Sequence, residues 1–113
     1  MRHRKRRGKL KVSTSHHLAM RRNLVASLFE HGRVTTTVAK AKAFRSYAEK
    51  LITIAVKGNE QKALGTDEGK ANHLHAVRRA AQLMPHKPAV RKLFGEVAPA
   101  VGDRPGGYTR ILR

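Results

Sequence analysis

The sequence has 113 residues, with 25 Lys or Arg against 7 Asp or Glu, and its formal net charge is +18 at pH 7. A chain of this length can build only one core, and so dense a positive charge repels itself unless a polyanion neutralises it. The absence of cysteine excludes disulfides and thiolate metal sites. The apolar runs are far shorter than the roughly 20 residues that cross a bilayer. We therefore expect a single domain whose partner is a polyanion.

Residues 1–12 are predicted to form a basic arm in front of that domain, which occupies residues 13–113. Seven of the first eleven residues are Lys or Arg, and the first acidic residue is Glu30. Repulsion among these cations and the lack of an apolar face predict an arm that becomes ordered only on its partner. No apolar segment follows that could serve as a secretory signal, whereas a mitochondrial transit peptide remains an alternative.

The first element of the domain is predicted to be a helix over residues 13–32. Its apolar residues repeat every three or four positions, as they do on the buried face of a helix. Ser13, Thr14 and Ser15 are candidate N-caps, and Gly32 is the candidate C-terminal stop.

Residues 33–38 are predicted to be a short strand, and a second helix follows them. The strand segment reads Arg-Val-Thr-Thr-Thr-Val and is rich in β-branched residues. Helical spacing returns in residues 39–58, with Thr37 as the N-cap and Gly58 as the stop. Residues 59–69 are polar, hold three of the seven acidic residues, and predict a loop that faces away from the polyanion.

The last third of the chain is predicted to hold two more helices and a second strand. Apolar residues at helical spacing indicate helices over 70–84 and 88–98, each ended by a proline. Residues 108–112 follow a Pro-Gly-Gly turn and have strand composition. Short strands separated by helices predict an α+β fold in two layers, with about four helices packed on a small mixed β-sheet.

No catalytic or metal-binding constellation is recognisable in the sequence. It lacks a Cys nucleophile, a G-x-S-x-G elbow and a glycine-rich phosphate loop. His73 and His75 lie two positions apart on a predicted helix, so their side chains do not share a face. We therefore expect a protein that is not an enzyme and binds neither cofactor nor metal.

The charge predicts binding of nucleic acid through its phosphates. Aromatic residues make up only 4% of the chain, too few for a platform on which bases stack. Two alternatives remain open at this stage. The helices over 70–84 and 88–98 could form a helix-turn-helix that reads DNA, and the arm could adhere to anionic lipid.

Several blocks of the sequence resemble one known family. They are "MRHRKRRGKL", "SHHLAMRRN", "HGRVTTTVAKAKAFR", "LITIA", "AVRKLFGEVAP" and "RPGGYTRIL", and in this order they are similar to the bacterial-type large-subunit ribosomal protein L-seventeen family. The resemblance implies a structural, non-enzymatic protein of the large ribosomal subunit that binds ribosomal RNA near the polypeptide tunnel exit, beside neighbouring ribosomal proteins. It implies a cytoplasmic, bacterial ribosome, with an organellar ribosome as the alternative.

The resemblance also implies which residues contact RNA. These are Arg2, His3, Arg4, Lys5, Arg6, Arg7, Lys9 and Lys11 in the arm, His16, Arg22 and Asn23 on the first helix, Lys40, Lys42 and Arg45 on the second, and Arg104, Tyr108 and Arg110 near the end. The resemblance implies a final strand after Arg113 that this sequence does not contain. We expect the sequence to be part of a longer protein; the alternative is a chain that is short and leaves its sheet edges open for RNA or a neighbour to cover.

Overall fold

Five α-helices and one π-helical turn follow one another in residues 8–113, the part of the chain that the computed structural model describes. They are α1 (Thr14–His31), α2 (Val38–Ala63), α3 (Asp67–Leu83), α4 (Lys87–Lys92), the π-turn (Leu93–Val97) and α5 (Ala98–Val101). The residues after α5 have no regular secondary structure.

The ends of α1 and the start of α2 lie where local side-chain chemistry places them. Ser13 is extended, and its hydroxyl accepts a hydrogen bond from the His16 N–H at 3.3 Å. Gly32 adopts a left-handed φ of 82° and donates its N–H to the Leu28 carbonyl at 2.8 Å. The Thr37 hydroxyl accepts from the Lys40 N–H at 3.3 Å. The predicted caps are therefore confirmed, because each depends on residues within one turn.

The predicted end of α2 at Gly58 is wrong, and so is most of the loop predicted over 59–69. α2 continues through Gly58 to Ala63, and only three residues separate it from the start of α3. Gly58 serves packing instead, since a Cβ at this position would lie 2.7 Å from the Ala76 Cβ of α3. Thr66 then caps α3 by accepting from the Gly69 N–H at 2.9 Å.

The helix predicted over 88–98 is interrupted by the π-turn. Inside the turn the Phe94 carbonyl accepts a hydrogen bond from Asn59 Nδ2 of α2 at 2.9 Å. The Phe94 carbonyl is thus satisfied from another helix at the place where the backbone hydrogen bonds change to the π pattern. Pro99 lies in the first turn of α5 and does not end the helix, which continues to Val101.

The α+β prediction is wrong, because residues 8–113 contain no strand and therefore no β-sheet. The two predicted strand segments, residues 33–38 and 108–112, line the same cleft of ≈560 Å³, and Val38 is already the first residue of α2. No backbone hydrogen bond joins one segment to the other within the described chain. β-branched residues favour extended backbone, but a sheet forms only where two such backbones pair in register. The described fold is all-helical.

The apolar core lies around α2, which packs against α1, α3 and the C-terminal helical turns. Five large side chains are buried completely or almost so: Val25, Phe44, Leu51, Met84 and Leu93. Burying a side chain of this size stabilises the fold by about 2 kcal/mol. The small residues Ala48, Ala55 and Gly58 on α2 are also buried and let neighbouring helices approach closely.

The close contact at Gly58 yields a test of helix packing. We expect Gly58→Ala to destabilise the fold by about 1–3 kcal/mol, because the overlap with α3 outweighs the gain of about 1 kcal/mol in helix propensity. Gly95→Ala is the matched control, since a Cβ there meets no atom within 4 Å. Urea denaturation followed by circular dichroism measures both. Equal stabilities for the two variants would contradict this account of α2–α3 packing.

Candidate nucleic-acid interface

The root of the basic arm is fixed against the junction of α1 and α2. His17 Nε2 of α1 lies 2.7 Å from the Gly8 carbonyl, a distance at which the ring N–H donates. Gly8 has a left-handed φ of 78°, and a Cβ there would lie 3.0 Å from the Ala43 Cβ of α2. Leu10 packs against the core. Residues 8–10, at the root of the predicted arm, are therefore held against α1 and α2.

Most of the predicted arm contacts lie outside the described residues: Arg2, His3, Arg4, Lys5, Arg6 and Arg7. Lys9 and Lys11 are exposed at the arm root. On α1, His16 and Asn23 are exposed and Arg22 is half-buried. The predicted RNA contacts of the arm and α1 that lie within the described residues therefore extend from the arm root along the first part of α1.

Arg21 belongs to the same surface, although the sequence analysis missed it. Its Cζ lies 4.2 Å from the centre of the Tyr47 ring on α2, a cation–π contact. The Tyr47 hydroxyl donates to the backbone carbonyl of Leu83 at the end of α3. Burial raises the pKa of the Tyr47 phenol, and the charges of Arg21 and Arg22 beside it offset part of that rise. The helical spacing of four from His17 to Arg21 was the available signal.

The predicted RNA contacts on α2 differ in how exposed they are and in the contacts they make within the protein. Lys42 is exposed and Lys40 is half-buried. Arg45 Nε lies 3.7 Å from Glu49 Oε1, and Arg45 Nη2 donates to the Thr109 carbonyl at 3.5 Å. Arg45 therefore helps to hold the C-terminal segment in addition to any contact with a partner.

Glu49 fixes the C-terminal segment to α2. Its Oε1 accepts from the Thr109 N–H at 3.3 Å and from the Thr109 hydroxyl at 2.9 Å. Tyr108 packs against the core, whereas Arg104 and Arg110 are exposed. The α2 residues 43, 44 and 47 contact α1 and the arm root, while 45 and 49 hold this segment. The predicted contacts thus fall on two parts of the α2 surface.

Charge is distributed unevenly along α2. Its first eight residues hold Lys40, Lys42 and Arg45 and no acid. The far end of α2 and the adjoining start of α3 together carry three acids, Glu60, Asp67 and Glu68, matched by three lysines, Lys57, Lys62 and Lys70. Ala43 and Glu60 are separated by about 25 Å of helix at 1.5 Å per residue. The end of α2 next to the arm root is therefore the positive one, and the far end is balanced.

The described residues hold neither a metal-ligand cluster nor a membrane-spanning helix. No group of three or more potential metal ligands is present among them. No helix between residues 8 and 113 has the length and apolar character needed to cross a membrane.

Comparison with known proteins adds a second line of observation. The family described as Ribosomal protein L17 matches residues 20–113. Over 113 residues the chain is 49% identical to the large ribosomal subunit protein bL17 of Geobacter sulfurreducens and 47% identical to that of Geobacter metallireducens, covering 57% and 56% of their lengths. It is 46% identical to the protein of the same name from Trichlorobacter lovleyi, of which it covers 80%. The chain thus spans little more than half the length of the two Geobacter relatives.

The Glu49 contacts predict how the C-terminal segment is held. We expect Glu49→Ala to release it at a cost of about 1–3 kcal/mol, because both hydrogen bonds to Thr109 use a charged acceptor. Hydrogen exchange of the Thr109 amide measures the release, with Glu60→Ala on the exposed surface as the control. The Thr109 amide should exchange faster only in the Glu49 variant. Unchanged exchange would mean that packing of Tyr108 holds the segment by itself.

Proposed function

Because the chain belongs to the ribosomal protein L17 family, we propose that it is a constituent of the large ribosomal subunit that binds ribosomal RNA through phosphate contacts. The family consists of structural ribosomal proteins and not of enzymes. The bacterial origin of the relatives fits a ribosome in the bacterial cytoplasm.

The anchored root of the arm is the observation that carries the RNA proposal. His17 and Ala43 hold Gly8 between α1 and α2, so the basic residues before it start from a fixed position. A tethered cationic segment pays less entropy to follow an RNA backbone than a free one, and it releases condensed counterions as it binds. The positive end of α2 lies beside the same root and extends the cationic surface.

Position near the tunnel exit and contact with neighbouring ribosomal proteins are further parts of the proposal. Their support is the family resemblance of the sequence blocks. The residues proposed to contact RNA are likewise those that the resemblance implies. Arg21 is added to them because it lies beside Arg22 on the same surface.

The helix-turn-helix alternative is disfavoured by the environment of α4. Ala89 and Val90 are buried, and α4 is only six residues long before the π-turn. Of the two basic residues in the last turn of α4, Lys92 donates from its Nζ to the Glu30 carbonyl at 2.7 Å and is therefore engaged within the protein. A recognition helix needs an exposed face that enters the major groove.

Sedimentation tests the proposal directly. The chain is expressed with an affinity tag in bacterial cells, and the lysate is separated on a sucrose gradient at moderate salt. We expect the chain to sediment with large ribosomal subunits. Sedimentation with DNA or with membrane vesicles, and absence from the subunits, would contradict the proposal.

The basic arm predicts that RNA affinity depends steeply on salt concentration, and that neutralising the arm removes a measurable part of this dependence. With about eight phosphate contacts, the logarithm of the RNA affinity should fall with a slope of about −6 to −7 against the logarithm of salt concentration. Changing Arg2, Arg4, Lys5, Arg6 and Arg7 to Gln keeps the arm length and removes five cations. The salt slope of this variant should be shallower than that of the unmodified chain by about 3.5 to 4.5.

Filter binding to purified large-subunit ribosomal RNA measures both slopes, and circular dichroism checks the fold. Deletion of residues 1–7 is the companion variant, because it leaves Gly8 and the contacts of the arm root in place. This deletion should weaken RNA binding as much as the five Gln substitutions do. Retention of affinity in both variants would identify the arm as a targeting segment and not an RNA contact.

A further inference from the structure

Two arginines of α1 converge on one tyrosine of α2. The Arg21 guanidinium lies over the Tyr47 ring, and Arg22 is close enough for its charge to act on the same phenol. The Nε atoms of both arginines are buried and have no hydrogen-bond partner. Both side chains are partly exposed as a whole. The Nε–H groups therefore have unmet hydrogen-bonding capacity inside the protein, and a ligand can approach the two arginines through the partly exposed remainder of each side chain.

No carboxylate neutralises this pair within the described chain. The ion pairs there join Arg45 to Glu49 and His86 to Glu30, and neither includes Arg21 or Arg22. The positions three and four residues before and after each arginine on α1 hold no acid. Glu30 is the only acid of α1 and lies about 12 Å beyond Arg22 along the helix axis. Two neighbouring cations thus lie beside one tyrosine without a counter-charge from the described part of the chain.

Tyr47 and α3 do not supply the missing charge. The Tyr47 hydroxyl donates its proton to the Leu83 carbonyl, and burial raises the pKa of the phenol, so it stays neutral near pH 7. The carbonyl end of α3 contributes about half of one negative charge. Against two guanidinium groups, this leaves more than one positive charge uncompensated.

We propose that Arg21 and Arg22 together bind one phosphodiester group of ribosomal RNA beside Tyr47. A phosphodiester brings one negative charge and two free oxygens, and the planar guanidinium fork matches such oxygens in charge and geometry. Partial burial strengthens the attraction because the local dielectric is lower than in water.

The site is continuous with the arm root. His17, which holds the Gly8 carbonyl, precedes Arg21 by four residues on α1, a rise of about 6 Å. One RNA backbone that follows the arm can therefore reach Arg21 and Arg22. This inference rests on the proposed function and adds to it a defined phosphate position.

The first test compares two double variants of the full chain that lose the same charge. Arg21→Gln with Arg22→Gln removes the site, and Lys62→Gln with Lys70→Gln removes two exposed cations from the charge-balanced region where α2 ends and α3 begins. Binding to purified large-subunit ribosomal RNA should weaken about 10- to 100-fold in the first variant, as expected for lost charged hydrogen bonds, and less than about threefold in the second. The salt slope of the first should become shallower by about 1 to 2.

The second test uses the unmodified chain, so it does not depend on a variant that folds. The Nε–H resonances of Arg21 and Arg22 are followed by NMR as ribosomal RNA is added, and then as inorganic phosphate is added at the same total phosphate concentration. We expect RNA to shift both resonances and inorganic phosphate to leave them nearly unchanged. Equal shifts with both would replace the RNA site by a general anion site and overturn the proposal.

The outcomes separate this site from the wider function. Binding to RNA that survives in the arginine variant as well as in the lysine variant, with unshifted Nε–H resonances, would overturn the phosphate site and leave the proposed function standing. Failure of the unmodified chain to bind ribosomal RNA would overturn both.

Discussion

The burial of α2 against α1, α3 and the C-terminal helical turns is the constraint on which the rest of the structure depends. Phe44 and Leu51 are almost completely buried on it, and Gly58 allows α3 to approach. Because α2 is fixed, the segments that lack regular structure can be held against it. Ala43 lies under the arm root, and Glu49 binds the C-terminal segment. A single long helix therefore positions both parts of the candidate interface.

The electrostatics of the molecule follow from the same arrangement. Folding places Arg21 and Arg22 beside Tyr47 without a neighbouring carboxylate, while Glu49 is used to hold the chain itself. Of the 25 cations, seven lie in the first eleven residues and three in the first eight residues of α2, and neither stretch contains an acid. Such a surface is costly for an isolated protein because the cations repel one another. It becomes favourable on a polyanion that supplies the missing counter-charge, which is why RNA suits the proposed function.

The predicted sheet shows the limit of local propensity. Residues 33–38 and 108–112 have the composition of strands, and the fold brings both to one cleft. Their backbones nevertheless remain unpaired with each other in the described chain. The composition of a segment favours extended backbone by much less free energy than pairing with a second strand contributes. Pairing also needs a partner strand at the correct spacing. Here the Thr109 N–H bonds to the Glu49 side chain instead of a neighbouring strand.

The sequence by itself determined the charge, the family resemblance and the helix ends that depend on adjacent residues, such as Ser13, Gly32 and Thr37. These three helix ends were predictable because their capping hydrogen bonds close within one helical turn. Only the tertiary structure decided that Gly58 is a packing contact, that Arg45 holds the C-terminal segment, and that Arg21 joins Arg22 at Tyr47. Each of these roles depends on a residue from another helix or a distant segment. Sequence spacing along one helix carries no information on which residue of a second helix will lie opposite it.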